Sequence, residues 1–124
     1  MNTPTPSELA ILQILWREKE ASAHQVNEQL SREKSVGYTG TLKLLQLMHQ
    51  KGLLTRRREG RSHIYVPAIN ESATKSSLLD RFIDNTFAGS AGSMMMQLLG
   101  NKKVSEQELK EIREYLNAIE KDQS

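Results

Sequence analysis

The apolar positions of this chain recur at helical spacing in several separate stretches, broken once by a short run with strand character. Leu9, Leu12, Leu15 and Trp16 form one stripe from Ser7, read as the N-cap with Glu8 in the first turn, to about Lys19. Trp16 lies on that stripe and is read as core. Ser22 and Gln25 have capping-box spacing and open a second helix buried through Val26 and Leu30, ending near residues 31–33. Residues 34–37 read as a polar turn. Residues 38–51 form a third helix, with Thr41, Leu44, Leu45 and Met48 on one face and Thr39, Gly40, Lys43, Gln46 and Leu47 on the other. Lys51 and Gly52 stop it, a cation at the negative helix end and then a residue that tolerates positive φ.

Strand character follows. Residues 53–58 and 61–66 are short β-prone runs joined at Glu59 and Gly60, and Pro67 ends the second. Helix, short helix, turn, longer helix and hairpin is the order of a winged helix-turn-helix. From Asn70 the pattern is helical again. Residues 71–87 carry Leu78, Leu79, Phe82 and Ile83 at i, i+3 and i+4 spacing. Residues 88–93 are a small-residue break and 94–99 a short apolar helix. Ser105 and Glu108 box the start of a last helix with Leu109, Ile112, Leu116 and Ile119 on one face. The predicted fold is mostly α with a small β-hairpin. Residues 1–69 form a winged-helix domain and 70–124 a helical dimerisation domain.

Charge sharpens this division. The net charge is only +2, but residues 1–70 hold ten Lys or Arg against six Asp or Glu, and residues 71–124 hold seven against nine. The first part therefore suits a polyanion and the second does not. The chain has no cysteine, which excludes disulfides, Cys-based zinc sites and thiol chemistry. His24, His49 and His63 are scattered, and no phosphate-binding glycine loop, nucleophile elbow or paired-carboxylate motif accompanies them. No catalytic residue, metal site or cofactor is expected. No apolar run is long enough to span a bilayer, and the first residues lack signal-peptide character, so a cytoplasmic protein is expected.

The chemistry lies in the third helix and the hairpin. Thr39, Lys43 and Gln46 carry groups that bond phosphates or base edges, Gly40 lets a backbone approach a groove closely, and Tyr38 opens the helix beside them. Four arginines, Arg56, Arg57, Arg58 and Arg61, stand on the hairpin against Glu59, with His63 nearby. Such a ribbon beside an exposed helix suits double-stranded DNA: Thr39, Gly40, Lys43 and Gln46 in the major groove, Arg57, Arg58 and Arg61 clamping phosphates, and His63 touching one. The rival reading is a winged-helix interaction module whose basic wing meets an acidic protein. The last third has apolar stripes but too little chain to bury them alone. Pairing of two copies through Leu78, Leu79, Phe82, Ile83, Phe87, Met95, Leu98, Leu99, Leu109, Ile112 and Leu116 resolves that. The Met94, Met95 and Met96 run is read as adaptable packing in the same core.

Three segments carry a family resemblance: SELAILQILW, TLKLLQLMHQKGLLTRRREGRSHIYVP, and SLLDRFIDNTFAGSAGSMMMQLL followed by VSEQELKEIREYL. Together they resemble the penicillinase-repressor (BlaI/MecI/CopY) family of winged-helix transcriptional regulators over nearly the whole chain. The resemblance implies a homodimeric repressor of a palindromic operator, paired through its C-terminal helices. It also implies release by a cut in the first dimerisation helix, linked to a membrane-bound sensor-protease for β-lactams, with Asn85 and Thr86 at the matching position. Thr86 departs from the family's penicillinase repressors, which carry an apolar residue there. The paired cysteines of the copper-responsive branch are missing.

Overall fold

A computed structural model describes residues 3–123. The elements run α1 (Pro6–Glu18), β1 (Ala21–Ser22), α2 (Ala23–Leu30), α3 (Tyr38–Gln50), β2 (Leu54–Glu59), β3 (Ser62–Pro67), α4 (Glu71–Phe87), α5 (Ala91–Gly100) and α6 (Glu106–Gln123). The chain divides into two compact units, Met1–Leu78 and Leu79–Ser124, so the division falls within α4.

The first unit is a winged helix. Its sheet has the order β1-β3-β2, antiparallel throughout. β1, only two residues long, has no pattern in the sequence and was not anticipated. It exists because Ala21 and Ser22 pair with Tyr65 and Ile64 on the free edge of the hairpin. Lys19, at φ 76°, turns the chain sharply from α1 toward that edge. The core joins Ile11, Leu12, Ile14 and Leu15 of α1 to Val26, Leu45, Met48, Leu53, Leu54 and Tyr65. Each such side chain gains roughly 1.5–3 kcal/mol by leaving water, which fixes the three helices against the sheet. Trp16 packs against this core, and its indole N–H donates to the Ile69 carbonyl at 3.1 Å.

Three local expectations need correction. The N-cap of α1 is Thr5, not Ser7; its hydroxyl accepts from Glu8 N–H at 3.2 Å while the Glu8 carboxylate accepts from Thr5 N–H at 2.9 Å. Pro6 at the first helical position made that start possible, since its missing N–H has no bond to lose. The hairpin turn is Gly60 and Arg61, because Glu59 still pairs with Ser62; Gly60, at φ 63°, supplies the left-handed residue that a tight hairpin needs. α5 starts at Ala91, three residues before the expected Met94, because Ser90 caps it by accepting from Ser93 N–H at 3.1 Å. The other caps fall where the spacing placed them, with Ser22 boxed by Gln25 and Ser105 by Glu108.

The second unit contains the end of α4, then α5 and α6. Among its described residues only Ile83 is buried. Phe82 and Phe87 meet edge to face at 5.8 Å, and Phe82, Met95, Leu98, Leu99, Leu109, Ile112 and Leu116 are exposed.

Candidate nucleic-acid interface

Burial on one side of α3 decides what its other side offers. Thr41, Leu45 and Met48 are buried to 1% exposure or less, which turns Thr39, Gly40, Lys43, Gln46, Leu47 and Gln50 to solvent. Thr39, Lys43, Gln46 and Gln50 follow one another at i, i+4, i+7 and i+11, a continuous polar line. Gln50 belongs to that line and was missed by the sequence reading, although helical spacing alone reveals it. A methyl group added at Gly40 would meet nothing within 4 Å, so packing inside the chain does not require glycine there.

The start of α3 is held from α2. Asn27 Nδ2 donates to the Val36 carbonyl and to the Thr41 hydroxyl oxygen, both at 2.9 Å. One amide thereby fixes the turn before the helix and the first turn within it. His24 stacks on Tyr38 with ring centroids 4.2 Å apart and planes 15° apart, so Tyr38 is engaged beside the helix start. At the other end Lys51 Nζ donates to Glu8 Oε2 at 2.8 Å. Burial of Glu8 opposes its charge, but the bonds from Lys51 and from the Thr5 N–H outweigh that and hold its carboxyl below the usual range.

The hairpin splits its arginines. Side chains alternate along a strand, and Arg56, Arg57 and Arg58 face Tyr65, Ile64 and His63 across the ladder. Arg56 and Arg58 therefore share a face with His63 and Tyr65, whose rings lie 6.3 Å apart. Arg57 lies on the opposite face with Glu59 and Ile64. There its guanidinium forms a two-pronged bond to Glu20, Nη1 to Oε1 at 3.0 Å and Nη2 to Oε2 at 2.6 Å, and Nη2 also reaches Glu59 at 3.2 Å. The bond from Arg57 holds the Glu20 carboxyl below its usual range, and the same bond raises Arg57 further. Arg58 Nε donates to the Gly60 carbonyl at 3.2 Å, while Arg56 and Arg61 make no ion pair among the described residues. Of the expected clamp residues Arg57, Arg58 and Arg61, the period of two along the strand puts Arg57 on one face and Arg58 on the other, with Arg56 beside Arg58. Among the described residues no group of three or more His, Cys, Asp or Glu stands ready to hold a metal ion.

An outward polar helix beside a cationic ribbon is a DNA-reading arrangement, and comparison with known proteins agrees. The family model of the penicillinase repressors matches residues 4–118. The chain belongs to the penicillinase repressor family. Its relatives include the methicillin resistance regulatory protein MecI of Staphylococcus aureus (strain N315), 24% identical over 111 residues and covering 90% of both chains. The penicillinase repressor of Bacillus licheniformis is 26% identical over 110 residues, covering 89% of this chain and 86% of that one. The solution structure of the DNA-binding domain of the repressor BlaI superposes with a TM-score of 0.52 at 26% identity, over 57% of this chain and 89% of that one. This family member is thus a DNA-binding transcriptional repressor and not an enzyme. The rival interaction-module reading is not favoured, because the family and its Bacillus licheniformis member are penicillinase repressors. Among the described residues no helix is long and apolar enough to cross a membrane.

Proposed function

We propose that the chain represses transcription in the cytoplasm as a homodimer on a palindromic operator. The observation that carries the pairing is the second unit, where one buried side chain among the described residues stands against an array of exposed ones, with Phe82 50% and Met95 51% exposed. Apolar helices so sparsely covered mark an interaction surface, and symmetric pairing of one chain is the commonest way such a surface is closed. Leu78, Leu79, Phe82, Ile83, Phe87, Met95, Leu98, Leu99, Leu109, Ile112 and Leu116 would form that interface, and residues 70–124 would act as the pairing domain. In each first unit, Thr39, Gly40, Lys43 and Gln46 enter the major groove with Tyr38 at the helix start beside them, and Arg56, Arg58, Arg61 and His63 meet phosphates. Two such helices read half-sites roughly 34 Å apart or a multiple of that.

Selection of bound sequences from a random duplex pool tests this directly. The expected product is a two-fold symmetric site with that spacing; an asymmetric consensus or no enrichment counts against it. Substitution separates the roles. Arg58→Ala weakens all duplexes about equally, whereas Lys43→Ala also relaxes sequence preference. Equal losses on specific and random duplex for Lys43→Ala would remove it from the base-reading set.

Relief of repression by proteolysis rests on the family resemblance and on the position of Asn85 and Thr86, both exposed in the last turn of α4. A membrane-bound sensor-protease is the partner this reading requires. Its co-expression with the chain should yield a fragment ending near Asn85, and a chain left whole would refute this route.

A further inference from the structure

The wing carries more cation than it offers. We propose that Glu20 and Glu59 hold Arg57 back from DNA, so that the strands of the wing offer phosphates one face only, that of Arg56, Arg58 and His63, with Arg61 in the turn beside it. This rests on the DNA-binding reading and refines it.

Both carboxylate oxygens of Glu20 are taken up by Arg57, and both terminal guanidinium nitrogens are spent on Glu20, with Glu59 sharing one of them. The Arg57 and Glu20 side chains are about half exposed, at 50% and 49%, and the two-pronged bond orients the guanidinium plane as well as its position. The bond also spans the sheet. Glu20 leads directly into β1, Ser22 of β1 pairs with Ile64 of β3, and Ile64 pairs with Arg57 of β2. Arg57 thus straps the outer strand of the wing to the strand at the opposite edge, which makes it a positioning residue rather than a DNA contact. The sharp turn at Lys19, with its φ of 76°, sets Glu20 at that edge.

Charge separates the two faces. The Arg57 face carries one guanidinium among two carboxylates, and the other face carries Arg56, Arg58 and His63 with no carboxylate on either strand. An arginine free on the first face would add a phosphate contact on any duplex, because phosphates carry no sequence information. Holding it back lowers sequence-independent binding and leaves base reading intact, which raises the ratio on which a repressor depends.

The test is the slope of log K against log salt on operator and random duplex, measured for full-length chains shown to be folded by their thermal transitions. Arg57→Ala should leave the slope unchanged. Glu20→Gln combined with Glu59→Gln should steepen it by about 0.9 and raise random-duplex affinity several-fold at low salt. Adding Arg57→Ala to that pair should abolish the gain. The inference is overturned by a slope that flattens by about 0.9 in Arg57→Ala alone, by no change in the double variant, or by a gain that survives loss of Arg57. The Arg57 Nε–H resonance of the unaltered chain gives a reading independent of any variant: it should stay in place on adding duplex while that of Arg58 moves, and equal movement of both overturns the inference. An unaltered chain that bound no duplex would overturn the DNA reading and this inference together.

Discussion

Glu8 shows how much one side chain acquires from its surroundings. Its place in the first turn of α1 accounts for a modest dipole effect. The fold adds burial to 2% exposure, a bond from Thr5 N–H, and an ion pair with Lys51 at the far end of α3. Because the folded state holds this carboxyl below its ordinary value, its contribution is present above the unfolded carboxylate pKa. It is lost as the pH falls through the lower, folded value. Glu8→Gln should therefore flatten the acid limb of a stability-against-pH curve and cost on the order of 1–3 kcal/mol at neutral pH. An unchanged acid limb would show that other carboxylates set it. Tyr65 presents the reverse case: its ring is wholly buried, and its hydroxyl has no hydrogen-bond partner among the described residues. Tyr65→Phe should keep or raise the melting temperature, by up to about 1 kcal/mol of stability, since an unmet donor is removed. A clear loss would reveal a partner for the hydroxyl.

At the scale of elements, the start of α3 depends on α2 through Asn27. Asn27→Ala removes bonds to the Val36 carbonyl and to the buried Thr41 hydroxyl, with an expected cost of about 1–3 kcal/mol. Affinity for operator should fall more than affinity for random duplex, because base reading needs the helix start in register and phosphate attraction does not. Competition binding on both duplexes checks this, and parallel losses would reduce Asn27 to a fold-stabilising role. The helices were legible because burial at 3.6-residue period leaves its mark locally, as with Thr41, Leu45 and Met48. The caps at Ser22 and Ser105 were legible for the same reason: both partners lie three residues apart. β1 was not, since two residues hold no period and become a strand only by meeting Tyr65 and Ile64. Arg57 is an intermediate case: strand alternation separates it from Arg56 and Arg58, but nothing local shows that Glu20, 37 positions away, is its partner.

For the whole molecule, the two units have opposite economies. The first closes its core by itself around α1, α2, α3 and the sheet. The second leaves Leu109 and Ile112 each 38% exposed, and the proposed pairing covers them. Leu109→Glu with Ile112→Glu should convert the proposed dimer to a monomer by sedimentation, because two charges in an apolar seam cannot be buried unpaired. Operator affinity should then fall on the order of 10²-fold or more, since two linked half-site contacts become one. A charged variant that still sedimented as a dimer would place the interface elsewhere.

The sequence alone determined the order of helices and hairpin, the polar helix face and the basic wing, and the apolar stripes that mark the last third. Those properties are written in near neighbours: helical spacing, caps three residues apart, a run of arginines. Only the tertiary structure decided that Arg57 pairs with Glu20, that Asn27 holds the start of α3, and that Glu8 is a buried anion joined to Lys51. Each of those is a meeting of residues distant along the chain, and such meetings exist only once the core has closed and brought their backbones within reach.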